Sequence, residues 1–214
     1  MKSNEFITPK VPTKSFKELF HVGTLDSSNK REGSYEGSGL SVSTHPDEWR
    51  RIARGYVTGD TYIATKPNNI FINAHKLTKV IKSEIAKWGV QNGLLIPNET
   101  VIVSYYDDEI DDTVSQEFQS MEDAIEEYGE DLEDEYEVKI NKNGFNPTDK
   151  LKQLANNPRI TPTGILDYVL PLYAEYNGYD GVWWQDILDV SSYSAPRGVI
   201  VPSKINTWTF RKTE

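Results

Sequence analysis

Between Lys87 and Lys139 this 214-residue chain carries no lysine or arginine, and residues 89–138 hold 17 of its 33 acidic side chains. No folded segment can bury that many carboxylates without partners. The stretch is therefore expected to stand out in solvent as an acidic insertion, residues 89–140, on one domain spanning residues 1–214. What remains has 23 basic and 16 acidic residues, a net charge of +7. The overall charge of −10 is thus the average of a mildly basic body and one acidic segment. There is no cysteine, which removes disulfide frameworks and thiolate metal sites. No run approaches the roughly 18 apolar residues of a membrane span, so a soluble, cytoplasmic chain without membrane contact is expected.

Short β-rich runs alternate irregularly with a few helical patterns. Residues 16–23, 40–43, 61–65, 70–74 and 101–106 read as strands. So do residues 133–140, the short run after the Gly178–Gly181 turn that ends on Gln185 and Asp186, residues 198–201 and residues 207–211. Pro46, with Asp47 and Glu48 behind it, opens a helix expected to end near Gly55. Leu77, Ile81 and Ile85 recur at spacing four and place a second helix up to Trp88. Ser120 and Asp123 have N-cap spacing for a third helix that runs to Tyr128. Residues 163–177 form another, capped by Thr163 and kinked or stopped by Pro171. Residues 1–15 read as a loose leader, and residues 141–162 as mostly loop with one short helix. The lack of strict strand–helix alternation indicates an α+β fold with a mixed or antiparallel sheet. The phosphate-cradling glycine fingerprints and the nucleophile elbow are missing. Three scattered histidines give no metal-ligand spacing, so no metal is expected.

Chemistry concentrates in four places. His21 ends an apolar strand just before Gly23 and Thr24. A lone histidine there is more often structural, but its ring nitrogens can hold a ribose hydroxyl, and the small residues after it let a ligand reach the backbone. Ser41 and Ser43 share one face of their strand. Tyr62 can stack on a planar ring or fill the core. In the stretch Gly178-Tyr179-Asp180-Gly181-Val182-Trp183-Trp184-Gln185-Asp186, two tryptophans stand beside an acid, a wall suited to a planar cation. Alternation along a strand puts Trp184 on the face of Asp186 and Trp183 on the other. The expectation is that Trp184 lines a pocket and Trp183 packs inside.

Together these pieces resemble the NAD-dependent ADP-ribosyltransferase superfamily, in particular its phage- and mobile-element-associated branch. The first motif is Leu19-Phe20-His21-Val22-Gly23-Thr24. The second is Glu36-Gly37-Ser38-Gly39-Leu40-Ser41-Val42-Ser43, with His45, Pro46 and Trp49. The third is Gly178-Tyr179-Asp180-Gly181-Val182 through Asp186, then Arg197-Gly198-Val199-Ile200-Val201-Pro202-Ser203-Lys204-Ile205. The likeness covers both ends of the chain and leaves the middle out.

The resemblance implies a split β-sandwich with flanking helices, holding NAD as substrate in the cleft between two small sheets. It implies that His21 holds ribose, that Ser41, Ser43 or Tyr62 supports the nicotinamide side, and that Asp186 is the acid near the scissile bond. Gly23, Thr24 and Trp184 complete the expected NAD contacts. One departure stands out. Where several members carry a glutamate before the last motif strand, this chain has Pro196 and Arg197. The implied activity is mono-ADP-ribosyl transfer to a macromolecule, a host protein in the case of a phage-encoded factor, without direct nucleic-acid binding. Two other readings are an NAD glycohydrolase and an acidic nucleic-acid mimic that occupies a basic partner without catalysis.

Overall fold

The computed structural model describes residues 10–25, 39–52, 59–107, 111–130, 132, 136–189 and 194–213. Most of the 1–15 leader, the motif residues Glu36, Gly37 and Ser38, the expected helix end at Gly55 and part of the 133–140 strand lie outside them.

The fold is α+β. Five strands make one mixed sheet: β1 (Thr13–Lys14), β5 (Phe71–Asn73), β9 (Gly181–Gln185), β10 (Arg197–Ile200) and β3 (Leu40–Val42), in that spatial order. Only the β5–β9 pair is parallel. A three-stranded antiparallel sheet holds β11 (Thr209–Lys212), β4 (Thr61–Thr65) and β2 (Leu19–Val22). Leu19 and Ala64 of the small sheet share one buried cluster with Leu40, Val42, Phe71, Trp183 and Ile200 of the large one. The two sheets therefore face each other across an apolar core. They touch along one seam, where Phe20 and Ser43 exchange two backbone hydrogen bonds, at 2.8 and 2.9 Å.

The outer face of the large sheet presents Ile72, Val182 and Val199 to a second core. That core is covered by helices α2 (Lys79–Gln91) and α5 (Ile165–Tyr176). Helix α1 (Pro46–Ile52) follows β3, and a short α4 (Asp149–Leu154) precedes α5. Pro171 lies within α5 without ending it. The expected Thr163 cap is not made. Gly164 holds the N-cap position in a left-handed conformation, with no side-chain cap.

The acidic segment is more strand than expected. Strands β7 (Asp112–Phe118), β6 (Leu95–Asp107) and β8 (Glu137–Pro147) form an antiparallel sheet in that order. Helix α3 (Met121–Tyr128) packs on it, its N-terminus capped by Ser120, whose hydroxyl accepts from the Asp123 amide. Val101, Val103, Ala124 and Leu132 make a small separate core ringed by Phe118, Tyr128 and Tyr136. The carboxylates of α3 and β7 point to water.

Candidate functional site at the junction of the two sheets

The Gly-Tyr-Asp-Gly run is accounted for by folding. Gly178 ends α5 in the left-handed region at φ 79°. Its amide donates to the Glu175 carbonyl and the Tyr179 amide to that of Ala174, the paired bonds of a Schellman cap. Asp180, 5 % exposed, accepts from the Ile70 amide at 2.8 Å and is ion-paired with Lys66. Its own amide donates to the Ile70 carbonyl, and its carbonyl accepts from Val201. One aspartate thus locks the start of β5, the start of β9 and the end of β10. A Cβ on Gly181 would stand 1.8 Å from the Val199 carbonyl oxygen and 2.6 Å from the Phe71 ring. Only glycine fits that crossing.

The chain then runs through Val182 and Trp183 to the end of β9. Trp183 is fully buried in the core between the sheets, as expected for the inward tryptophan. Its indole nitrogen donates to the Asp186 carboxylate at 2.7 Å. Gly198 opposite leaves room for the ring, since a Cβ there would meet the indole at 2.5 Å. Trp184 points the other way and packs into the helix-covered core, against Asp167. The expectation that Trp184 shares a face with Asp186 is therefore corrected. Strand β9 ends at Gln185, so the pleat that assigns faces stops one residue short of Asp186. The chain turns there and brings the carboxylate back to Trp183.

Asp186 is half exposed and ion-paired with Lys14 of β1. Lys14 in turn lies 5.1 and 5.5 Å over the rings of Phe16 and Trp183. Burial pushes the Asp186 carboxyl up. The hydrogen bonds from Lys14 and Trp183, with the charges of Lys14 and His75, outweigh it and hold the group below the ordinary carboxylate range. Asn73 pairs with Trp183 in register and shares its inward face. It is 4 % exposed, and its side-chain oxygen has no partner among the described residues. A buried acceptor left open is costly unless a ligand or water meets it.

At the seam, the nitrogens of His21 lie 2.8 Å from the Ser41 carbonyl through Nδ1 and 2.8 Å from the Thr24 carbonyl through Nε2. Both contacts face acceptors, so the ring ties β3 to the turn after β2. This differs from the expected direct hold on ribose. The ring of Tyr62 stacks beside it at 6.4 Å. Gly23, at φ 125°, lets the chain turn and donates its amide to Asp60. Ser43 is fully buried and donates to the Pro196 carbonyl at 2.6 Å, while its oxygen accepts from the His45 amide. It braces β3 to the start of β10. Ser41 lies opposite Val199, whose side chain packs in the helix-covered core, so its hydroxyl belongs to that outer side. Arg197 pairs with Gln185 across a bulge, and burial lowers its guanidinium from the ordinary value.

Several expected residues therefore meet at one seam: His21, Gly23, Thr24, Ser43 and Tyr62 come together beside Pro196 and Arg197. Asp186 stands apart from them, just past the end of β9, with β10 and β3 between that strand and the seam with β2. Lys14 and Asn73 stand near Asp186 and Trp183 and were not singled out in the sequence, where Arg197 was noted as a departure from the motif. Among the described residues no helix is long and apolar enough to cross a membrane, and no group of His, Asp or Glu is arranged to hold a metal. Comparison with family models, curated proteins and solved structures found no match.

Proposed function

We propose that this chain is a mono-ADP-ribosyltransferase that takes NAD between its two sheets and moves ADP-ribose to a macromolecular target, a protein. One observation carries the reading. Three stretches up to about 150 residues apart, each resembling the superfamily, contribute β2, β3 and β10, and these strands meet at one seam. Two small sheets that share a core and are joined at that seam suit the split sandwich the resemblance implies.

The roles follow from the positions. His21 holds Thr24 and β3 together, so the backbone of Gly23 and Thr24 offers polar groups to ribose at a fixed distance. Tyr62 gives a flat wall. Arg197, always charged in a protein, suits the pyrophosphate, and the open oxygen of Asn73 suits an N–H donor of the ligand. In the reaction the bond between the ribose carbon and nicotinamide breaks. The ring leaves neutral with the bonding pair, and a target nucleophile attacks the carbon and loses its proton. Positive charge gathers on the ribose in the transition state, and the ionised Asp186 is the carboxylate placed to oppose it. The acidic lobe suits a target with a basic surface. A phage-encoded factor acting on host machinery in the cytoplasm fits this combination.

Incubation with labelled NAD and host lysate tests the proposal. The natural chain is expected to label a protein, and Asp186→Ala to lose the labelling. Nicotinamide released without a labelled acceptor would make the chain an NAD glycohydrolase. Neither transfer, release nor NAD binding would reject the proposal. A second reading is supported by the separate core of the acidic lobe, which presents its carboxylates to water. If the biological effect survives Asp186→Ala and is lost on neutralising the lobe, the chain acts as a nucleic-acid mimic.

A further inference from the structure

The helix layer over the outer face of the large sheet holds a cavity of about 360 Å³. It opens between α2, α5 and β8. Its walls include Leu77, Ile85, Phe145, Ile165 and Leu170, and its polar groups are Lys82 and Asp167. The volume lies within the range of small-molecule pockets, about 300–1,000 Å³, and an apolar lining with few polar groups is their usual character. Nothing in the proposed transfer uses this space.

The two polar groups are unequal. Lys82 is exposed on α2, and its long stem lets the ammonium swing into water. Asp167 is fixed in the first turn of α5. Burial raises its carboxyl from the ordinary value, against the pull of the Trp184 indole and the Lys82 charge. A half-buried carboxyl on the wall of an apolar cavity that also holds an aromatic ring, Phe145, suits an organic cation. An anion would instead meet Asp167 at the helix end, where that side chain already complements the dipole.

We infer that this cavity binds a small organic cation with an apolar body, its protonated amine against Asp167 and its body against Phe145, Ile85 and Leu170.

Calorimetry on the full chain tests this with benzylamine as the probe, and with benzyl alcohol and benzoate as neutral and anionic counterparts of the same shape. Saturable one-site binding of benzylamine is expected. The two counterparts should bind at least about tenfold more weakly, the usual effect of losing one charge-assisted contact. Asp167→Asn, checked for an intact melting transition, should weaken benzylamine by a similar factor and leave benzyl alcohol unchanged. Benzylamine binding by the natural chain should also weaken as pH falls and Asp167 takes up a proton. The inference is overturned if benzylamine gives no saturable heat up to about 50 mM, a generous limit for a ligand of this size. Equal or tighter binding of benzoate overturns it too, as does unaltered benzylamine binding in Asp167→Asn. NAD binding reports on the other face of the sheet, so the two proposals fail separately.

Discussion

Trp183 and Trp184 are neighbours in the chain and end on opposite faces of one sheet, each against an aspartate. Trp183 is sealed between the sheets and donates to Asp186, which is half exposed, ion-paired and held below the ordinary carboxylate range. Trp184 lies among the helices against Asp167, whose carboxyl burial pushes upward. Each acid has an indole near it, and the bond from Trp183 to Asp186 is a close one, at 2.7 Å. The other neighbours also differ: Lys14 sits directly on Asp186, whereas Asp167 has lost water and has Lys82 only as a longer-range charge. One acid is thereby held in its ionised form, and in the other burial disfavours the charge.

The largest effect should come from removing the device that separates the two faces. Gly181→Ala forces a side chain into the Val199 carbonyl and the Phe71 ring. Overpacking usually costs about 1–3 kcal/mol, and here backbone is in the way. The expected outcome of thermal unfolding is a chain that no longer melts cooperatively. Next is Asp186→Ala, expected to cut transfer about 10²–10³-fold, the scale for removing one preorganised electrostatic group. Asp167→Asn should stay within about twofold of the natural rate. Equal losses in the two variants would erase the distinction between the faces. Trp183→Phe keeps the inner ring but drops the bond to Asp186, so it should cost about 1–3 kcal/mol, from a small void and the lost bond. Urea unfolding measures it, and transfer should fall as the carboxylate loses its anchor.

The smallest effect is the dependence of stability on pH. Asp186 has a depressed value when folded, so its contribution is present above the unfolded value, about 3.9, and fades as pH falls through the folded one. Asp167 has the opposite sign. The folded chain holds that proton more firmly, so stability falls as pH rises from about 4 through the raised value. Asp167→Asn should therefore raise Tm at pH 7 and leave it nearly unchanged near pH 3.5. A rise at both pH values would mean that packing rather than charge distinguishes the variant.

The mixed fold and most elements of the body were legible because their signals are local. Leu77, Ile81 and Ile85 mark α2 by period, and Ser120 marks the start of α3 by its cap. β7 was missed because Val114 and Phe118 are its only large apolar residues, too few to set a period. The second half of β8 was missed because Asn141, Asn143 and Gly144 read as loop. It is strand because it pairs with β6 along its length, a tertiary cause. Of the candidate site, the seam was legible through its three motifs. The partners of Asp186 were not. Lys14 lies in a segment with no periodic pattern, and whether a side chain past a strand's last residue turns in or out is settled by the turn. Asn73 looked like an ordinary strand end, since an unmet hydrogen bond appears only once its neighbours are placed.

The central claim is that NAD lies between the sheets with its reacting ribose at Asp186. A crystal soaked with NAD tests it most directly. The account predicts NAD at the junction of the two sheets, its pyrophosphate at Arg197 and its nicotinamide ribose within about 3.5 Å of the Asp186 carboxylate, the separation of groups poised to react. NAD bound on the helix-covered face, or an Asp186 still paired with Lys14 and remote from any bound ribose, would contradict it.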